Sequence, residues 1–207
     1  MIRQTALAQD RNQLAGNSRR FALRFALGFS LLIGATALVA LSAHISVPLG
    51  FTPVPITLQP FAVLLLGLLL APRESFAVMT LYLLEGAAGM PVFSPHGPGG
   101  IAQLVGPTGG YLLAAPFAAA LAGVLYRAGK QNAWAALSGA VAGDLVLLAT
   151  GALWLEVLTR ASFSHLLSVS VVPFLAGDAA KVMIAAVCAQ IFHSFSTRSS
   201  SPAQQQN

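Results

Sequence analysis

The chain has 207 residues, of which 56% are hydrophobic and 8% charged, with a net charge of +5. A soluble domain carries about 25% charged residues, so this composition excludes a wetted globular surface and indicates a single-domain integral membrane protein. The arginines gather at the ends of apolar runs, where they orient a membrane protein, so the positive balance does not point to nucleic acid.

Residues 1–20 are polar and basic, with Arg3, Arg11, Arg19 and Arg20. The apolar stretch from residue 21 to about residue 44 is too long for a signal-peptide core of about 7–15 residues, which predicts an uncleaved first transmembrane helix. Along it Ala22, Ala26, Ser30 and Gly34 recur every four residues. Small residues at that spacing let a second helix approach closely, whether from within the chain, from another subunit or from a second copy.

Residues 46–59 cannot form an ordinary helix. Pro48, Pro53 and Pro55, with Pro60 following, fix φ, remove backbone donors and push their predecessors toward extended geometry. The stiff connector carries Phe51, Thr52, Thr57 and Gln59, and is either a lid or a plain link. Apolar runs then cover residues 61–71 and 75–88, separated by Pro72-Arg73-Glu74, with Glu85 near the end of the second. Both are short against a span of about 20 residues, so their ends are expected to extend into flanking positions.

Residues 89–110 are rich in glycine and proline. Such a segment makes tight turns or wraps main chain around a ligand. No Gly-Lys-Ser/Thr follows Gly106-Pro107-Thr108-Gly109-Gly110, so it is not a nucleotide loop; Thr108 is a candidate cap for the next helix. Runs at 111–126 and 134–155 follow, the second containing Asp144, then a connector with Glu156, Arg160 and His165, then a last run at 170–195. The expected fold is an all-α membrane protein with six transmembrane helices over residues 21–195, an ordered Pro-rich first outer loop, a Gly/Pro-rich loop between helices 3 and 4, and a polar tail at 196–207. With both termini cytoplasmic, the inner side receives Arg3, Arg11, Arg19, Arg20, Arg24, Arg73, Arg127, Lys130 and Arg198, and the outer side Arg160. That bias follows the positive-inside rule.

Asp178 and Lys181 sit inside the last apolar run. Three residues apart, they share one helix face, about 12 to 17 Å below its outer end at 1.5 Å per residue. A charge at membrane depth costs about 2.5–3.5 kcal/mol even on lenient scales, so the two residues either satisfy one another as a structural ion pair or form a polar ligand site. Phe51, Phe93, Phe174 and Tyr111 are candidates for apolar ligand contact or for ordinary packing. Asp144 and Glu85 are protonated or line the same cavity; spacing does not decide between these. His44, His96, His165 and His193 show no metal-binding spacing. The single cysteine, Cys188, excludes an intrachain disulfide, and no nucleophile motif is present. No cofactor, metal or catalytic centre is expected.

Three stretches carry a resemblance. Val47-Pro48-Leu49-Gly50-Phe51-Thr52-Pro53-Val54-Pro55-Ile56-Thr57-Leu58-Gln59 resembles the first-loop signature of the BioY family, substrate-capturing membrane subunits of biotin uptake systems. Gly89-Met90-Pro91-Val92-Phe93-Ser94, Gly99-Gly100 and Gly106-Pro107-Thr108-Gly109-Gly110-Tyr111 resemble its second. Pro173-Phe174, Gly177-Asp178 and Lys181 match its third. The resemblance implies the S component of an energy-coupling-factor transporter in the cytoplasmic membrane, with biotin as ligand, no ATPase activity of its own, and a transmembrane coupling (T) subunit and ABC-type ATPases as partners. It also implies that Asp178 accepts from the ureido N–H groups and Lys181 donates to the carbonyl. Phe51, Thr52, Gln59, Phe93, Gly100, Gly109, Gly110 and Tyr111 would complete the substrate contacts. Two rivals stand beside this reading: an S component for another small vitamin, and an intramembrane enzyme acting on lipid.

Overall fold

The computed structural model describes residues 28–199. The chain divides into two units, residues 1–35 and 36–207. Of the first unit the described part is residues 28–35, the opening of a helix (α1) that runs Gly28–His44. Of the small-residue stripe, Ser30 and Gly34 fall on this helix, while Ala22 and Ala26 lie outside the described residues, as do Arg3, Arg11, Arg19, Arg20 and Arg24.

Within the second unit the proline-rich connector closes into a two-stranded antiparallel hairpin, β1 (Ser46–Val47) and β2 (Ile56–Thr57), with Ser46 opposite Thr57 and Val47 opposite Ile56. The prolines occupy its loop, where no ladder donor is needed. Leu58 N–H donates to Ile45 O at 3.0 Å, fastening the hairpin base to the end of α1. The strands are too short to stand out in a sequence dominated by Pro48, Pro53 and Pro55.

Helix α2 covers Gln59–Leu69 and α3 Pro72–Ala87. Both start on a proline in the first turn, where the missing N–H costs nothing. Glu74 Oε2 accepts from Ala71 N–H at 3.0 Å at the α3 start. These two starts fix the element lengths, so the expected extension into flanking residues is slight: α2 gains Gln59 and Pro60 and stops at Leu69. At 1.5 Å per residue α2 is only about 16 Å long, half of a hydrocarbon core of about 30 Å.

The glycine-rich segment holds a short helix, α4 (Gly100–Val105), before α5 (Gly109–Ala128). Helix α6 covers Ala133–Thr159, α7 Phe163–Ser170 and α8 Val172–Ser199. Two expectations are corrected here. Glu156 lies on α6, which runs on to Thr159 and stops at Arg160 in the left-handed region (φ 52°). The link before α8 is not a plain connector, because it contains α7.

Helix α5 packs on α6, α3 and α2, and α8 closes against α2 and α6. The contacts use small residues. A Cβ on Gly67 would stand 2.5 Å from Ala119 O, and one on Gly123 2.6 Å from Gly67 O, so α2 and α5 cross backbone to backbone. Gly139 meets Ala122 O in the same way between α6 and α5, at 2.6 Å. Lipid offers no hydrophobic incentive for helices to associate, so close packing of this kind supplies the adhesion. The core beside these crossings is Leu64, Leu68, Ala122, Tyr126, Ala136, Ala140, Ala185 and Ala189. Thr36 Oγ1 donates to Glu85 Oε1 at 3.1 Å, tying α1 to α3.

The outside is apolar. Phe117, Trp134 (80% exposed), Leu145, Leu153, Val157, Met183, Ile184, Val187, Ile191 and Phe195 face outward. Such a surface fits lipid as the solvent. Helices α5, α6 and the α7–α8 stretch Leu167–Thr197 are long and apolar enough to cross a bilayer.

Candidate functional site

Six parts of the second unit converge on one cavity. The hairpin supplies Val54, Pro55 and Thr57; α2 supplies Gln59, Pro60 and Val63; the glycine-rich segment supplies Ser94, Gln103 and Thr108. Tyr111, Leu112 and Ala115 come from α5, Asp144, Leu147 and Leu148 from α6, and Phe174, Asp178 and Lys181 from α8.

One wall is charged. Lys181 Nζ donates to Asp178 Oδ1 at 2.8 Å, with the two residues 8% and 4% exposed. The pair satisfies the demand that a buried charge have a partner, yet it does not exhaust either group. An ammonium has three donors and a carboxylate about four acceptor sites; among the described residues Lys181 uses one hydrogen bond, to Asp178. Both residues line the cavity, so acceptor and donor capacity stand side by side at its edge.

The other walls are held by specific hydrogen bonds. Tyr111 Oη donates to Ser170 O at 2.8 Å, and its ring lies 6.4 Å from that of Phe174. This joins α5 to the α7–α8 junction. Gln103 spans the glycine-rich segment: its Nε2 donates to Ser94 O at 3.3 Å and its Oε1 accepts from Gly99 N–H at 3.1 Å. Gly99 and Gly100 have φ of 72° and 60°, a region that side chains disfavour, and this turn leads into α4, which brings Gln103 to the cavity.

Of the residues expected at the site, the cavity brings together Gln59, Tyr111, Asp178 and Lys181. The others stand behind it or away from it. Phe51 is 62% exposed in the hairpin loop, outside the lining. Thr52 is buried, and its Oγ1 accepts from Val54 N–H at 3.3 Å, which shapes the hairpin turn. Phe93 anchors the glycine-rich segment on α3: its ring meets Tyr82 edge-on at 5.4 Å and fills the space beside Gly86. Tyr82 Oη donates to the neighbouring Val92 O at 3.0 Å. Gly109 and Gly110 lie under Trp154, where a Cβ on Gly110 would come 2.7 Å from Thr150 O. Trp154 Nε1 donates to Gly106 O at 2.9 Å, so these glycines let α5 dock on α6.

Sequence reasoning left Asp144 undecided and did not single out Ser94, Gln103 or the leucines of α6 as site residues. A signal for Asp144 exists: Ala140, Asp144, Leu147, Leu148 and Gly151 recur at helical spacing, and all are buried except for minor exposure. Ser94 and Gln103 have no such periodicity. Glu85 is occupied by Thr36 and does not line the cavity. Among the described residues no group of histidines, cysteines and acids is arranged to hold a metal.

These features define a class: an all-α membrane protein with a cavity walled in part by a buried ion pair. Residues 18–198 match the BioY family profile, and the chain belongs to that family. It is 38% identical over 161 residues to a probable biotin transporter BioY of Pyrococcus horikoshii, covering 78% of this chain and 93% of that protein. It is 40% identical over 154 residues to a biotin transporter BioY of Thermotoga maritima, covering 74% and 88%. The fold is similar to a solved S-component for biotin from an ECF-type ABC transporter, with a TM-score of 0.76, 26% identity, and coverage of 83% of this chain and 93% of that one.

Proposed function

We propose that this chain captures biotin at the outer face of the cytoplasmic membrane and is the substrate-specific subunit of a vitamin uptake system. The buried Asp178–Lys181 pair carries this reading, because it puts a strong acceptor and a strong donor together in a cavity whose apolar lining includes Pro55, Val63, Leu147, Leu148 and Phe174. A ureido ring with N–H and C=O groups matches the polar edge, and an apolar ring system matches the remainder. In this reading Asp178 accepts from an N–H, Lys181 donates to the carbonyl, and the ligand carboxylate points toward the outer loops. Gln59 and Tyr111 complete the direct contacts, while Phe51, Thr52, Phe93, Gly100, Gly109 and Gly110 shape the loops above them. The names of the similar proteins support biotin over another vitamin.

The proposed topology has six spans, α1, α2, α3, α5, α6 and α8, over residues 21–195. Both termini are cytoplasmic, as the distribution of basic residues supports. The sequence contains no Walker A loop, so energy comes from a T subunit and ABC-type ATPases; a homo-oligomer is the alternative assembly. The test is uptake of labelled biotin by cells lacking their own biotin transport. Cells expressing the chain with such partners are expected to accumulate biotin against a gradient, and the purified chain to hydrolyse no ATP. ATPase activity that stays with the purified chain and disappears on mutating it would contradict the assignment.

A further inference from the structure

We propose that Asp144 is a second ligand-contacting carboxyl, its Oδ1 accepting a hydrogen bond from an N–H of the bound solute. This deepens the biotin reading and rests on it. Asp144 is 7% exposed, projects from the middle of α6, and lines the same cavity as Asp178 and Lys181. Its Oδ1 is buried and, among the described residues, has no hydrogen-bond partner. Asp178, by contrast, is paired with Lys181 at 2.8 Å.

A buried polar atom without a partner is rare in folded proteins and costly to maintain. At membrane depth it marks function more often than scaffolding. Nothing on α6 needs a carboxyl for packing, since its neighbours on that face are Ala140, Leu147 and Leu148. The donor missing from Asp144 is one that a solute can bring.

The chemistry of the wall supports two acceptors rather than one. A cyclic urea has two N–H groups on opposite sides of one carbonyl. Lys181 supplies the donor for the carbonyl, Asp178 takes one N–H, and Asp144 takes the other. Ser94 Oγ is also buried, lines the cavity and has no partner among the described residues. A hydroxyl both donates and accepts, so Ser94 is suited to a remaining polar atom of the same ligand. The pocket would thereby select solutes with two N–H groups flanking a carbonyl over those with a single amide.

The test uses the purified full chain, with Asp144→Asn and Asp144→Leu, measuring biotin affinity by calorimetry and thermal unfolding without ligand. Losing a hydrogen bond to a charged group corresponds to roughly 10–100-fold in affinity. Asp144→Leu is expected to show that loss and Asp144→Asn a smaller one. Ligand-free unfolding temperatures should be unchanged or raised, because an unpaired buried polar group has been removed. Unaltered affinity in Asp144→Leu would overturn the inference alone. So would loss of the folded protein in both variants, or a fall in affinity accompanied by an equal fall in stability, since Asp144 would then be structural. Failure of the unchanged chain to bind biotin would overturn the functional reading and this inference with it.

Discussion

Lys181→Ala is expected to abolish tight biotin binding and to destabilise the unliganded protein as well. The substitution leaves Asp178, 4% exposed, without its 2.8 Å partner. Breaking one side of a buried pair costs about 3–5 kcal/mol of stability. The lost donor to the ligand accounts for a further fall of roughly 10–100-fold in affinity. Asp178→Asn should weaken binding by a similar factor. The informative protein is the double variant, Asp178→Asn with Lys181→Met. Replacing both members of a buried pair with neutral groups is often neutral or stabilising, so its unfolding temperature should recover while biotin binding stays weak. Recovery of both stability and affinity would reduce the pair to scaffolding.

Gly67→Ala is the second large effect, and its sign opposes helix propensity. Alanine is favoured over glycine in a helix interior by about 1 kcal/mol, yet a Cβ here stands 2.5 Å from Ala119 O and 2.9 Å from Ala119 Cα. Both are backbone atoms, and a Cβ on Gly123 would likewise stand 2.6 Å from Gly67 O. Overpacking typically costs about 1–3 kcal/mol, so a net loss of stability is expected, with the α2–α5 crossing forced apart. Gly177→Ala on α8 is the control, because a Cβ there meets nothing within 4 Å; it should be neutral or mildly stabilising. Thermal unfolding in one detergent compares them, and equal behaviour of the two variants would refute the packing argument.

The long helices were legible because lipid imposes a simple code of apolar runs bounded by proline, glycine and basic residues. That code places α5, α6 and α8 to within a few residues. It says little about α4, α7 and the β1–β2 hairpin, whose segments are too short for periodicity and whose prolines and glycines read only as irregular. The site divides in the same way. Asp178 and Lys181 stand out as charges in an apolar run, and both reach the cavity. Asp144 stood out equally, but its direction depends on the phase of α6 against Ala140 and Leu147, which becomes decisive only once the packed face is known. Phe93, Gly109 and Gly110 belong to distinctive motifs, yet their surroundings are Tyr82, Gly86 and Trp154. A motif marks a place where the chain tolerates few alternatives. It does not distinguish a residue that touches the ligand from one that positions the loop above it.

The central claim is that the cavity between the hairpin, α5, α6 and α8 holds biotin. It is tested most directly by titrating the purified full-length chain with biotin in detergent, in parallel with Lys181→Ala and with other water-soluble vitamins as competitors. Saturable binding of biotin at one site per chain is predicted, weakened at least tenfold by Lys181→Ala and not displaced by vitamins that lack a ureido group. Binding of a different vitamin in preference to biotin, or biotin binding unaffected by Lys181→Ala, would contradict it.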